Sequence, residues 1–258
     1  MNAPRIAAAP ADSLLVEQLD ALGAWRQGLD RYVADLGKVL VDYDLHDEVV
    51  ERQLSALRER LSSDRLCVAF VAEFSRGKSE LINAIFFADT GRRVLPATPG
   101  RTTMCPVELG YDANLPPELA LLPIDTRLEG ASLADMRERP QAWTRIRLDP
   151  SSPKQLSESL AEVTRTKAVT VDTAKALGFW SDETPADNPP MMGEGLVEVP
   201  AWRHATINYP HPLLQAGLTI LDTPGLNALG AEPELTLSVI PNAHAVMYLL
   251  ATDTGVTR

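Results

Sequence analysis

Apolar positions follow two rhythms along this chain. The first is helical. Leu15, Leu22, Leu29 and Leu36 recur every seven residues, Leu19, Val33 and Leu40 fill the alternate seam, and Arg26 is the polar break. This stripe predicts a long amphipathic helix, opened by a cap at Asp12 or Ser13. Val50, Leu54, Leu57 and Leu61 predict a second helix from about Asp47, which residues 62–64 end. The pair reads as a helical hairpin over residues 12–63, after an Ala/Pro-rich disordered leader at 1–11. Two readings of the long stripe stay open. It packs on the chain's own globular part, or it begins a helical bundle completed elsewhere.

The rhythm changes at Leu66. Leu66-Cys67-Val68-Ala69-Phe70-Val71 is a continuous apolar, β-branched run, as a buried strand requires. After a turn, Leu81, Ile82, Ile85 and Phe86 return to helical spacing. Further strands are expected at 107–109, 144–148, 196–199, 205–209, 218–221 and 244–251. Ser132 is expected to cap a short helix that ends before Pro140. Ser152-Pro153-Lys154-Gln155 carries a cap, a first-turn proline and a capping-box glutamine, and Leu156, Leu160 and Val163 give that helix its buried face. One more helix is expected at 232–240. Residues 112–200 read as scaffold or interface, with a polar, Pro-rich loop at 182–195. Strands interleaved with helices predict an α/β fold over residues 64–258.

Two stretches carry chemistry. The strand from Leu66 runs through Glu73-Phe74-Ser75-Arg76-Gly77 into Lys78-Ser79-Glu80 and a helix. Strand, tight loop, Gly-Lys-Ser and helix is the layout of a phosphate-binding loop. Backbone N–H groups of such a loop converge on one concavity that favours an anion. Lys78 adds a mobile cation for the β- and γ-phosphates, and Ser79 a hydroxyl for Mg²⁺. Ala72 stands where the pattern has its first glycine, and it serves there if its φ stays negative. The competing reading is an accidental Gly-Lys-Ser in an ordinary turn.

The second stretch is Leu218-Thr219-Ile220-Leu221, an apolar strand ending in Asp222-Thr223-Pro224-Gly225. A carboxylate at the end of a buried strand beside a phosphate loop suits a Mg²⁺-bound water. Gly225 can bring its N–H to a γ-phosphate. A plain Asp-Thr-Pro-Gly turn is the alternative. Between the two stretches, Thr102 and Thr103 lie on a Gly/Pro/Arg-rich loop, where nucleotide switches place a threonine that reaches metal and γ-phosphate together.

Composition narrows the field. With 35 acidic against 24 basic residues among 258, the net charge is −11. That disfavours nucleic acid as a partner, and also strong attraction of this stretch to anionic lipid. Two cysteines, Cys67 and Cys105, suggest neither a disulfide framework nor a zinc site. His46, His204, His211 and His244 show no ligand spacing and read as structural. No apolar run reaches the roughly 18 residues of a membrane span. The N-terminus lacks a secretory signal, so a cytoplasmic protein is expected.

The motifs in order resemble those of dynamin-like large GTPases, bacterial members in particular. The resemblance rests on EFSRGKSELINAIF, RTTMCPVEL, VPAWRHATINYPHPLL before LTILDTPGLN, and AHAVMYLLATDTGVT, and covers about residues 64–258. It implies a three-layer α/β/α GTPase fold, preceded by bundle helices and incomplete at its C-terminus. No Asn/Thr-Lys-x-Asp base-recognition segment follows Asp222. A fragment of this kind is expected to be incompetent in hydrolysis by itself. GTP and Mg²⁺ are the implied ligands. Lys78, Ser75 and Thr103 form the implied catalytic set, with Thr103 preferred to Thr102 because it keeps a T-x-x-P register with Pro106. Glu73, Phe74, Ser75, Arg76, Gly77, Lys78, Ser79 and Glu80 would line the nucleotide together with Asp222 and Gly225. Ser79, Thr103 and Asp222 would hold the metal. Arg76 can act as a finger in cis, although relatives that use one from this loop carry it one position earlier, where Ser75 stands. The resemblance further implies self-association across G domains, and membrane remodelling through regions beyond residue 258. Glu80 adds negative charge near the phosphates. That charge and Ala72 keep open a nucleotide-gated interaction module with negligible hydrolysis, and the missing base segment keeps open an ATP-using enzyme.

Overall fold

The computed structural model describes residues 10–62, 65–72, 77–96, 105–183, 185, 188–224 and 243–250. The chain opens with two helices, α1 (Pro10–Asp42) and α2 (Glu48–Ser62). Asp47 starts α2, its Oδ1 accepting from the backbone N–H of Val49 at 2.9 Å and of Val50 at 2.8 Å. The two helices pack along each other and share an Arg58–Asp30 ion pair, 2.8 Å from Nε to Oδ1. The stripe on α1 is not buried along its length. Among the side chains described on α1, Leu19 and Val33 are buried, while Leu15 and Leu36 are exposed.

Then follow β1 (Leu66–Ala72), α3 (Lys78–Phe86), β2 (Val107–Gly110), β3 (Glu118–Pro123), α4 (Leu133–Arg137) and β4 (Thr144–Arg147). Next come α5 (Pro153–Leu160), β5 (Thr166–Thr170), α6 (Val171–Ala176), β6 (Met191–Met192), β7 (Leu196–Pro200) and β8 (Trp202–Asn208). The described elements end with α7 (Pro212–Gln215), β9 (Leu218–Asp222) and β10 (Ala245–Leu249). The expected helix at 232–240 lies outside the described residues.

Seven strands form one mixed sheet in the order β10-β1-β9-β2-β8-β3-β4. β1 runs parallel to both β10 and β9, whereas β2 is antiparallel to β9 and parallel to β8. β5, β7 and β6 make a separate antiparallel sheet of three strands. β3, with residues Leu119 to Leu122 almost wholly buried, and β5 are strands that the periodicity did not predict.

Alternation along the strands divides the main sheet into two faces. On one face Phe70, Val107, Leu109, Leu119, Ile207 and Ile220 join a single core. That core is covered by Ile82 and Phe86 of α3, Leu156 and Leu160 of α5, Leu213 and Leu214 of α7, and Leu19 of α1. Full burial of each such side chain contributes about 1.5–3 kcal/mol. On the other face Ala69, Val71 and Leu221 form a small cluster, and α4 packs Leu133 and Met136 over Leu122 of β3. Helices therefore flank the sheet on both faces, as an α/β/α fold requires.

The cap expected at Asp12 or Ser13 is not found, because α1 already begins at Pro10, takes in the end of the expected leader and holds both residues inside the helix. The caps of α4 and α5 match the sequence, with one correction. Ser132 and Asp135 form a reciprocal capping box at α4. At α5 Ser152 accepts from the Gln155 N–H, but the Gln155 side chain does not return to it. Its Oε1 takes the Asp149 N–H at 2.9 Å and its Nε2 donates to the Arg147 carbonyl at 3.1 Å. The long amide closes the preceding turn instead of the cap.

Histidines and cysteines fall in structural positions. His244 Nδ1 accepts the Cys67 N–H at 3.0 Å, which fastens the start of β10 to β1. His211 caps α7 and meets Phe86 edge-on. His46 lies 2.7 Å from Glu51. Burial pushes the Cys67 thiol up to about 11. One buried charge cluster lies on the second face of the sheet. Burial works against the charge of Glu108, but His204 and Arg137 outweigh it and hold the carboxyl down at about 2. Arg137 Nη2 makes the direct contact at 2.5 Å, whereas His204 Nε2, at 3.8 Å, is beyond hydrogen-bond reach.

Candidate functional site

The site grows from two adjacent parallel strands. β1 and β9 are in register, Phe70 beside Asp222, so both deliver the chain at the same edge of the sheet. Ligands of open α/β sheets bind at such carboxyl ends. β1 ends at Ala72, which pairs with Leu249 of β10 and is fully buried. Asp44 is the non-glycine residue with positive φ among those described, so Ala72 keeps a negative φ. Alanine in place of the first glycine therefore costs no backbone strain there.

Gly77 closes the loop and precedes α3 with φ 80° and ψ 13°. A side chain there would meet nothing within 4 Å, so the left-handed backbone, and not crowding, calls for glycine. Gly77 offers no side-chain cap. A helix start without a side-chain cap suits an anion, which its first N–H groups can bind. Lys78 is the first residue of α3 and is buried.

Asp222 ends β9, also buried. Its Oδ1 lies 2.8 Å from Lys78 Nζ, with side-chain exposures of 5% and 9%. The contact is ionic without the alignment of a hydrogen bond, and Oδ1 has no aligned donor among the described residues. A buried carboxylate oxygen left in this way, with the Ser79 hydroxyl at the start of the neighbouring helix, fits a hard divalent cation such as Mg²⁺. Among the described residues no group of three or more His, Cys, Asp or Glu side chains forms a metal cage. Mg²⁺ on a nucleotide needs none, because phosphates and water complete its shell.

The other expected site residues fall into two groups. Glu80 turns to Arg93, with Oε1 2.9 Å from Nε on a partly exposed surface. Its charge is thus partly neutralised on the flank of α3. Glu73, Phe74, Ser75, Arg76, Thr103 and Gly225 lie outside the described residues. The chain emerges from the Thr103 segment at Cys105, which is buried. Burial first, and then the charge of nearby Asp222, push its thiol up to about 12.

Two residues on the elements that carry the site escaped sequence reasoning. Asn83 is buried in α3, and its amide makes three bonds to the loop after the helix. Oδ1 accepts from Val94 N–H at 3.1 Å and Leu95 N–H at 2.8 Å, and Nδ2 donates to the Leu95 carbonyl at 2.8 Å. Asparagine is a poor helix-interior residue, and its place among apolar neighbours was the available signal. Thr223 donates its hydroxyl to the Phe70 carbonyl at 2.8 Å. Nothing in a local pattern marks that bond.

Parallel strand ends, a glycine-led helix with lysine at its first position, and an aspartate on the adjoining strand define a P-loop nucleotide-binding α/β fold. A family model described as "Dynamin family" matches residues 68–258. The chain belongs to the dynamin family. It is 30% identical over 131 residues to "Bacterial dynamin-like protein" of Nostoc punctiforme, covering 50% of this chain and 17% of that protein. It is 28% identical over 226 residues to "Dynamin-like protein A" of Bacillus subtilis, covering 77% of this chain and 17% of the relative. The chain thus spans about a sixth of the length of these curated relatives. Two solved structures of an oligomerised bacterial dynamin pair, described as sensing and tethering membranes, align at TM-scores of 0.37 and 0.39 with 22% and 13% identity. They cover 78% and 88% of this chain and 23% and 28% of their own, and likeness this loose carries no argument.

Proposed function

We propose that this chain is the nucleotide-binding part of a dynamin-like protein that binds GTP with Mg²⁺ and hydrolyses it to GDP and phosphate. The observation that carries the reading is the meeting at 2.8 Å of Lys78, at the first position of α3, with Asp222, at the end of β9. Family membership supports GTP as the substrate.

In this reading the N–H groups at the start of α3 and the Lys78 ammonium bind the β- and γ-phosphates, where negative charge grows during transfer. Ser79 and Asp222 would hold Mg²⁺, directly or through water. Mg²⁺, when bound, would supply positive charge that offsets that of the phosphates. Thr103 and Gly225 contact the γ-phosphate end and release on its loss, so the segments that carry them act as switches. Ser75 and Arg76 line the phosphates. The buried walls around Lys78 and Asp222 exclude water and strengthen both charges toward the ligand.

Self-association across nucleotide-bound G domains and remodelling of membranes are the proposed outputs. No described helix is long and apolar enough to cross a membrane. Membrane action would be peripheral and would reside in other parts of the full-length protein. The test is GTP turnover by the full-length protein with Mg²⁺. Turnover is expected, and Lys78→Ala is expected to abolish it. Turnover by the wild type no faster than by that variant would end the enzyme reading.

A further inference from the structure

Thr223 follows the aspartate and is completely buried. Asp222 ends the described pairing of β9 on both sides, beside Phe70 of β1 and beside Val107 of β2. Past it the backbone peels away. The Thr223 N–H reaches the Phe70 carbonyl only at 3.4 Å. Pro224, next in line, has no N–H to offer. The Thr223 hydroxyl reaches the same carbonyl at 2.8 Å. The last strong rung between β1 and β9 is therefore made by a side chain, adjacent to the Asp222 peptide. Phe70 itself lies two residues before β1 ends at Ala72. One oxygen thus couples the strand that leads to the phosphate loop with the strand that carries the carboxylate.

We propose that Thr223 is a positioning residue for Asp222. Its hydroxyl fixes the backbone from which the carboxylate faces Lys78, and so sets the affinity of the site for a divalent cation. The proposal rests on the nucleotide-site reading and deepens it. Mg²⁺ and Mn²⁺ demand short, well-directed oxygen ligands, so angular freedom at one carboxylate is felt in binding. Groups that orient a metal ligand typically contribute about 10- to 100-fold in metal affinity. Thr223 contacts neither nucleotide nor metal in this scheme. Its effect passes through Asp222.

The experiment uses the full-length protein, Mn²⁺ as the probe, and a non-hydrolysable GTP analogue. Free and bound Mn²⁺ are measured by electron paramagnetic resonance. Thr223→Val keeps shape and loses the hydroxyl, and Thr223→Ser keeps the hydroxyl. The valine variant is expected to bind Mn²⁺ about 10- to 100-fold more weakly in the presence of the analogue. Its affinity for the analogue without metal should stay unchanged, and the serine variant should restore Mn²⁺ binding. A role confined to stability would lower the melting temperature and leave Mn²⁺ affinity alone. Mn²⁺ affinity of the valine variant within twofold of wild type, or a serine variant as impaired as valine, overturns the proposal. If the valine variant does not fold, Thr223→Cys, of similar size with a weak donor, carries the same comparison to the same two outcomes. A wild type that binds no Mn²⁺ with the analogue overturns the nucleotide-site reading, and this proposal with it. Equal binding by wild type and variant overturns this proposal alone.

Discussion

Removing one member of the Lys78–Asp222 pair should cost far more than removing both. The two side chains are 9% and 5% exposed and 2.8 Å apart, so water screens neither. Lys78→Met keeps the length of the side chain and removes its charge. It leaves the Asp222 carboxylate buried, with Oδ1 still lacking an aligned donor among the described residues. An uncompensated buried charge destabilises by about 3–5 kcal/mol. Asp222→Asn strands the ammonium in the same way and should cost a similar amount. The double variant buries no charge and should recover most of the loss, so its cost should fall well below the sum of the two single costs. For a domain of this size about 1 kcal/mol moves the melting temperature by about 2–4 °C. Each single variant should therefore melt about 6–20 °C lower, and the double variant close to wild type. The assay is urea and thermal unfolding in EDTA without nucleotide. Single variants that each cost under about 1 kcal/mol and simply add in the double would refute the reasoning.

Other outcomes follow from the same structure. Asn83→Leu strips three bonds from the loop at Val94 and Leu95 and leaves buried polar groups unmet. It should destabilise by at least about 2 kcal/mol in urea. Ala84→Ser, at the exposed neighbouring position of α3, is the control and should cost no more than about 0.5 kcal/mol. Glu108 is held at about 2 in the fold against an ordinary 4.5, so its contribution is fully present above pH 4.5 and is lost as pH falls toward 2. Arg137→Met removes its direct partner, raises that carboxyl and should move the acid-unfolding midpoint to higher pH. Cys105 and Cys67, pushed up to about 12 and about 11, should resist alkylation at pH 8 in the native protein and react on unfolding.

Much of the fold was legible because its signals are local. The apolar run of β1, the helical spacing of α3 and the apolar run of β9 each lie within one short window, and each is found where the pattern put it. The elements that were missed depend on distant partners. β3 begins with Glu118, ends at Pro123 and has Pro116 and Pro117 just before it, so it reads as loop. It is a strand because β8 and β4 pair with it on either side. β5 alternates weakly and is fixed by β7, which follows it only after a long excursion. The stripe on α1 was legible as a helix but not as a buried one. A heptad gives the face and not the partner, and along Leu15 and Leu36 the described residues supply little cover.

The candidate site divides in the same way. Lys78 was legible at the start of a helix and Asp222 at the end of a strand, and their meeting follows from β1 and β9 being parallel neighbours. Ala72 departs from the pattern on paper, yet a residue inside a strand with negative φ needs no glycine. The partnership of Glu80 with Arg93, the clamp of Asn83 and the bond from Thr223 to Phe70 were not legible. Each joins a side chain to a neighbour that only the folded chain defines.

The account turns on Lys78 and Asp222 serving one magnesium–triphosphate. The most direct measurement is a crystal structure of the full-length protein with Mg²⁺ and a non-hydrolysable GTP analogue. The account predicts Lys78 Nζ on β- and γ-phosphate oxygens and Asp222 on the magnesium or one of its waters. Nucleotide bound elsewhere, or bound there with Asp222 facing away from the metal, would contradict it.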